Sequence, residues 1–88
     1  MQLLDAIGQT SLVRLRKVVP PGCADIFVKL EWENPTGSLK DRMALAVIGR
    51  AEEDGRLAPG GTVVEYTGGS TGTSLALVCA VRGYRIRI

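Results

Sequence analysis

Histidine is absent from all 88 residues. Proton transfer near neutral pH would therefore fall to a lysine, a carboxylate, a hydroxyl or water, since histidine is the side chain that ordinarily titrates there. Cysteine is scarce: Cys23 and Cys79 form no C-x-x-C pair. Without histidine or paired cysteines, no zinc site or thioredoxin-type redox site is expected, and no metal is assigned. Cys79 lies in the apolar run "SLALVCAV" and reads as a small buried hydrophobe, while Cys23 follows a Pro-Pro-Gly turn. No stretch approaches the roughly 18 apolar residues of a membrane span, and no basic segment followed by an apolar core opens the chain. A soluble, cytoplasmic protein is the expectation. Charge of one sign is also lacking, the formal balance being +2, and the small clusters Arg14, Arg16, Lys17 and Arg82, Arg85, Arg87 carry no interleaved aromatics. Nucleic-acid and membrane partners are not expected.

What is present suits a folded chain: 45% hydrophobic and 23% charged residues. Its length fits one small α/β unit with no internal boundary, of limited buried surface. "LVRLR" (12–16) and "IFVKLEW" (26–32) read as strands around the turn "PPGCAD". From 38 to 57, Leu39, Met43, Ala46, Val47, Ala51 and Leu57 recur at helical spacing, with Asp41, Arg42, Arg50, Glu52, Glu53 and Asp54 opposite. That predicts an amphipathic helix with Asp41 on its solvated face, begun by a Ser38/Asp41 capping box and ended near Gly55. "TVVEY" (62–66) follows as a strand, "TGGSTGTSLALVCAVRG" (67–83) as a glycine-rich loop feeding a helix, and "YRIRI" as a last strand. The β-β-α-β-α-β order predicts part of a doubly wound, mainly parallel sheet, truncated at Ile88 because no closing helix follows.

Two stretches could carry chemistry. "TGGSTGTS" leaves a strand and opens a helix, so its amides and the helix dipole form an anion site. It is neither a P-loop nor a G-x-G-x-x-G fingerprint. The plainer reading is that its glycines only allow a tight turn; the hydroxyls of Thr67, Ser70, Thr71 and Thr73 weigh against that. In "NPTGSLKDR" (34–42), Lys40 sits at a helix start, where positive polarisation disfavours a cation and favours a nucleophilic amine. The alternative is a surface lysine neutralised by Asp41. Asn34, Pro35 and Gly37 read as turn-forming residues, Asp41 as a cap before a base, Arg42 as exposed or ion-paired, and Trp32 as core or interface.

Taken together, "IGQTSLVRL", "VKLEWENPTGSLKDRMALAVI" and "GTVVEYTGGSTGTSLALVCAVRGY" resemble the amino-terminal portion of the cysteine synthase and cystathionine β-synthase family, fold-type II pyridoxal-phosphate enzymes. The resemblance runs from Ile7 to Ile88. It implies that Lys40 binds pyridoxal 5'-phosphate covalently and serves as catalytic acid and base. It implies that Thr67, Gly68, Gly69, Ser70 and Thr71 hold the substrate carboxylate, with Ser70 also against the cofactor. Two departures stand out. Ser70 replaces an asparagine that reaches the cofactor ring oxygen, and Gly68 replaces a serine. The implied activity is β-replacement on an O-activated serine, giving cysteine from O-acetylserine and sulfide, in a protein that is a homodimer when full length. The phosphate-cradling loop of the family lies downstream, so the 88-residue piece alone is expected to be inactive. A non-catalytic binding or assembly module is the alternative.

Overall fold

A computed structural model describes all of residues 1–88. The elements run β1 (Leu12–Arg14), β2 (Phe27–Lys29), α1 (Lys40–Glu53), β3 (Thr62–Val64), α2 (Ser70–Arg82) and β4 (Arg85–Arg87), with 3₁₀ turns at Leu3–Ala6 and Glu31–Glu33. The α/β class and the chain order follow the expectation. The sheet does not. β1 and β2 pair antiparallel, β3 and β4 pair parallel, and no strand joins the two ribbons. A doubly wound sheet is therefore not what these residues form among themselves, because β2 gives its ladder to β1 and runs into the Glu31–Glu33 turn instead of meeting β3.

β3, α2 and β4 make one βαβ crossover, the connection that parallel strands require. In its register Val63 faces Ile86, and both are half-buried between exposed neighbours, so one face of the ribbon turns to the core. That core consists of Leu4, Ala44, Ile48, Leu75, Val78 and Cys79, flanked by Ile7, Leu45, Leu57, Val63, Tyr84 and Ile86. Cys79 is fully buried, as its apolar context predicts, and burial pushes its thiol above the usual range.

α1 is shorter than the 38–57 pattern and rotated about its axis relative to it. Asp41, Ala44 and Ile48 are its buried residues, while Leu39, Ala46 and Val47 are exposed. The physical reason is visible at the α1–α2 contact. A stripe through Asp41, Ala44 and Ile48 places small and branched side chains against α2, and a carboxylate can join it only because donors wait there. The helix leaves through Asp54 into Gly55, whose φ of +80° is the left-handed exit glycine accommodates.

The β1–β2 ribbon has little else to pack on. Leu12, Val13, Ile26 and Phe27 are exposed, and so is Trp32, at 69% relative accessibility. Trp32 is thus not core, since the 3₁₀ turn carries it away from α1 and α2. No helix is long and apolar enough to cross a membrane.

Candidate functional site

The turn before α1 is built around Asn34. Its buried side chain accepts from the Gly8 amide at 2.8 Å and donates to the Glu31 carbonyl at 2.8 Å and to Glu31 Oε1 at 3.1 Å. Asn34 O then accepts from the Gly37 amide at 2.8 Å, closing the Asn-Pro-Thr-Gly turn. Asn34 positions the helix start, as its place in the sequence suggested.

The expected capping box takes another form. Ser38 Oγ accepts from the Lys40 amide at 3.0 Å, but Asp41 does not reach back to Ser38; its Oδ2 accepts from the Thr36 amide at 2.8 Å. Leu39 is already helical in backbone angle and caps α1 without any side-chain bond. Lys40 is the first residue of α1, half-buried, and takes part in none of the four ion pairs. Asp41 does not neutralise it. The carboxylate is fully buried and engaged by Thr36 and Ser74 instead.

Arg42 is ion-paired, to a partner the sequence did not disclose. Its Nε donates to Glu31 Oε1 at 2.7 Å, and its second terminal nitrogen reaches Glu31 Oε2 at 3.1 Å and Thr10 Oγ1 at 3.2 Å. Hydrogen bonds from Arg42 and then Thr10 hold the Glu31 carboxyl at about 2. Thr10 and Glu31 join the "IGQTS" segment to the Lys40 turn. No local pattern marks them, because their partners are remote in sequence.

The second motif leaves the carboxyl end of β3, where ligands of open α/β units gather. Thr67 Oγ1 accepts from the Gly69 amide at 3.3 Å, and Gly69 O accepts from the amides of Gly72 and Thr73. The Ser70 and Thr71 amides at the first turn of α2 have no acceptor within the chain. Gly68, Gly69 and Ser70 are exposed, and Thr67 and Thr71 are half-buried. Gly72 is buried, and a Cβ there would lie 2.8 Å from Thr67 Cγ2 and 3.0 Å from Ile88 Cδ1. Its missing side chain lets the start of α2 sit directly on the loop.

One bond ties the two motifs. Ser74 Oγ, in the second turn of α2, donates to Asp41 Oδ1 at 2.6 Å; Thr36 Oγ1 donates to the same oxygen. Burial pushes the Asp41 carboxyl up, but the bonds from Ser74 and from the Thr36 hydroxyl and amide outweigh it and leave it below its ordinary value. The helix start carrying Lys40 and the helix start carrying the open amides are thus neighbours, although no hydrogen bond joins Lys40 to residues 67–71.

This α/β protein thus sets a half-buried amine without an ion-pair partner on one helix start and free amides on the neighbouring one. The family described as pyridoxal-phosphate dependent enzyme matches residues 3–88. A cysteine synthase of Staphylococcus aureus (strain Mu50 / ATCC 700699) is 56% identical over 79 residues, covering 90% of this chain and 26% of the relative. Among solved structures, an O-ureido-L-serine synthase superposes with a TM-score of 0.88 at 50% identity, covering 96% of this chain and 26% of the other. A hydrogen sulfide-producing enzyme of Fusobacterium nucleatum does so with a TM-score of 0.86 at 40% identity, covering 96% and 28%. The chain belongs to the pyridoxal-phosphate dependent enzyme family. It spans about a quarter of the length of the curated relatives it matches.

Proposed function

We propose that residues 1–88 are the amino-terminal part of a pyridoxal-phosphate enzyme that performs β-replacement on an O-activated serine, forming cysteine from O-acetylserine and sulfide. The observation that carries the reading is the state of Lys40: it opens α1, is half-buried, and its sequence neighbour Asp41 is committed elsewhere. Such an amine is free to bond an aldehyde. The residues fit the cofactor, since an unpaired lysine and a donor-rich loop are what a carbonyl-bearing anion and an amino acid require. Names of similar proteins support β-substituted alanine chemistry: cysteine synthase and O-ureido-L-serine synthase.

Pyridoxal phosphate, when bound, supplies the electron sink for charge developing on the substrate α-carbon. Lys40 would hold it and, when released, move the α-proton. The Ser70 and Thr71 amides, with the hydroxyls of Thr67 and Thr71, would bind and orient the substrate carboxylate, with Gly68 and Gly69 letting it approach the backbone. Ser70 would also face the cofactor, with a shorter reach than asparagine. The β3–β4 ribbon would extend into the doubly wound sheet, and the exposed apolar face of β1–β2 would be covered, by the remainder of a longer chain acting as a homodimer. The test is borohydride trapping of the full-length protein with pyridoxal phosphate, followed by peptide mapping. Label on Lys40, lost with the visible absorbance in Lys40→Ala, is expected; label on another residue, or none, sinks the reading in favour of a binding module.

A further inference from the structure

Resting on the reading of Lys40 just given, we infer that Ser74, the last residue of the "TGGSTGTS" stretch and outside the residues 67–71 assigned to the substrate carboxylate, is a positioning residue for the reaction: its bond to Asp41 sets the lysine-bearing helix start against the loop at 67–71. At the amino-terminal ends of the two helices no other side-chain bond between α1 and α2 does so. The Arg82–Glu52 ion pair at 2.6 Å joins the far, carboxyl ends of α1 and α2, and between the two bonds the contact runs through Ala44, Ile48, Leu75, Val78 and Cys79, apolar groups whose attraction tolerates small slides.

The Asp41 carboxylate does not tolerate them. Asp41 and Ser74 both have zero exposure, so no water can replace a lost donor without the helices parting. Oδ1 accepts from Ser74 at 2.6 Å and from the Thr36 hydroxyl, Oδ2 accepts from the Thr36 amide at 2.8 Å, and the two hydroxyl oxygens lie 3.4 Å apart. The cluster is closed. Asp41 adjoins Lys40, and Ser74 stands about one helical turn beyond Ser70. Any shift of α2 along α1 is therefore felt at Oδ1, and a misplacement of about 1 Å at reacting groups lowers rates by roughly a hundredfold.

Ser74→Ala in the full-length, cofactor-loaded protein tests this, because it removes one hydroxyl and leaves no large void. Borohydride should still label Lys40, whereas kcat falls roughly tenfold or more, KM for O-acetylserine changes much less, and the visible absorbance band moves or weakens. Unchanged kcat and an unchanged spectrum overturn the inference, whatever happens to the melting temperature, because stability alone is what a purely structural hydroxyl would alter. Thr36→Val offers an independent variant should Ser74→Ala not accumulate folded; it removes the second hydroxyl donor and must lower kcat and perturb the band in the same way. Wild-type protein labelled at a residue other than Lys40 would refute the parent reading instead, an outcome separate from wild-type-like behaviour of the two variants.

Discussion

Arg42 grips Glu31 with two nitrogens, Nε on one carboxylate oxygen at 2.7 Å and a terminal nitrogen on the other at 3.1 Å. This fork ties the first turn of α1 to the 3₁₀ turn before the Asn-Pro-Thr-Gly segment, so Lys40 is braced from outside as well as from the core. Geometry of this kind is stronger and more directional than a single charged contact.

The fork makes stability acid-sensitive in a defined window. Glu31 falls from an ordinary value of 4.5 to about 2 in the folded state. A carboxyl lowered by folding contributes stability that is complete above its unfolded value and lost as pH falls through its folded value. Unfolding by urea, followed from pH 7 downward, should therefore show stability declining from about 4.5 toward about 2. In Glu31→Gln the slope across that interval should be shallower; an unaltered slope would show that the fork contributes nothing. Asp41, also lowered, shares the sign and leaves a residual slope in that variant.

Gly72→Ala sets two effects against each other. Alanine favours a helix by roughly 0.5–1 kcal/mol over glycine. Against that, the new methyl would meet Thr67 Cγ2 at 2.8 Å and Ile88 Cδ1 at 3.0 Å. Overpacking of this sort costs typically 1–3 kcal/mol. Ile88 can swing away at its flexible tip, but Thr67 is stiff at its branched Cβ and its hydroxyl already accepts from Gly69. Net destabilisation of about 1 kcal/mol is expected by denaturant titration, with weaker pyridoxal phosphate binding as the loop moves. A variant more stable than wild type would contradict the packing seen here.

Ser70→Asn addresses cofactor orientation. Ser70 is exposed at the first position of α2, so a longer side chain meets no packed neighbour and stability should change by less than about 0.5 kcal/mol. If Ser70 faces the cofactor, asparagine brings an amide donor within reach of it, and pyridoxal phosphate affinity should rise with a shift in absorbance maximum. Identical titrations for both proteins would place residue 70 away from the ring.

Much was determined by the sequence: the order of strands and helices, the lysine at a helix start, the glycine-rich loop opening the next helix, and the buried Cys79. These follow from short-range rules of periodicity and turn chemistry, in which each residue is judged against neighbours a few positions away. Only the tertiary structure decided that Asp41 faces inward, that Trp32 faces outward, that the strands form two ribbons, and that Glu31 is the partner of Arg42. A carboxylate on a helix reads as solvated until the donors that can desolvate it are known, and Ser74 supplies one from 33 positions away. Its hydroxyl becomes a ligand of that charge only when two helices pack.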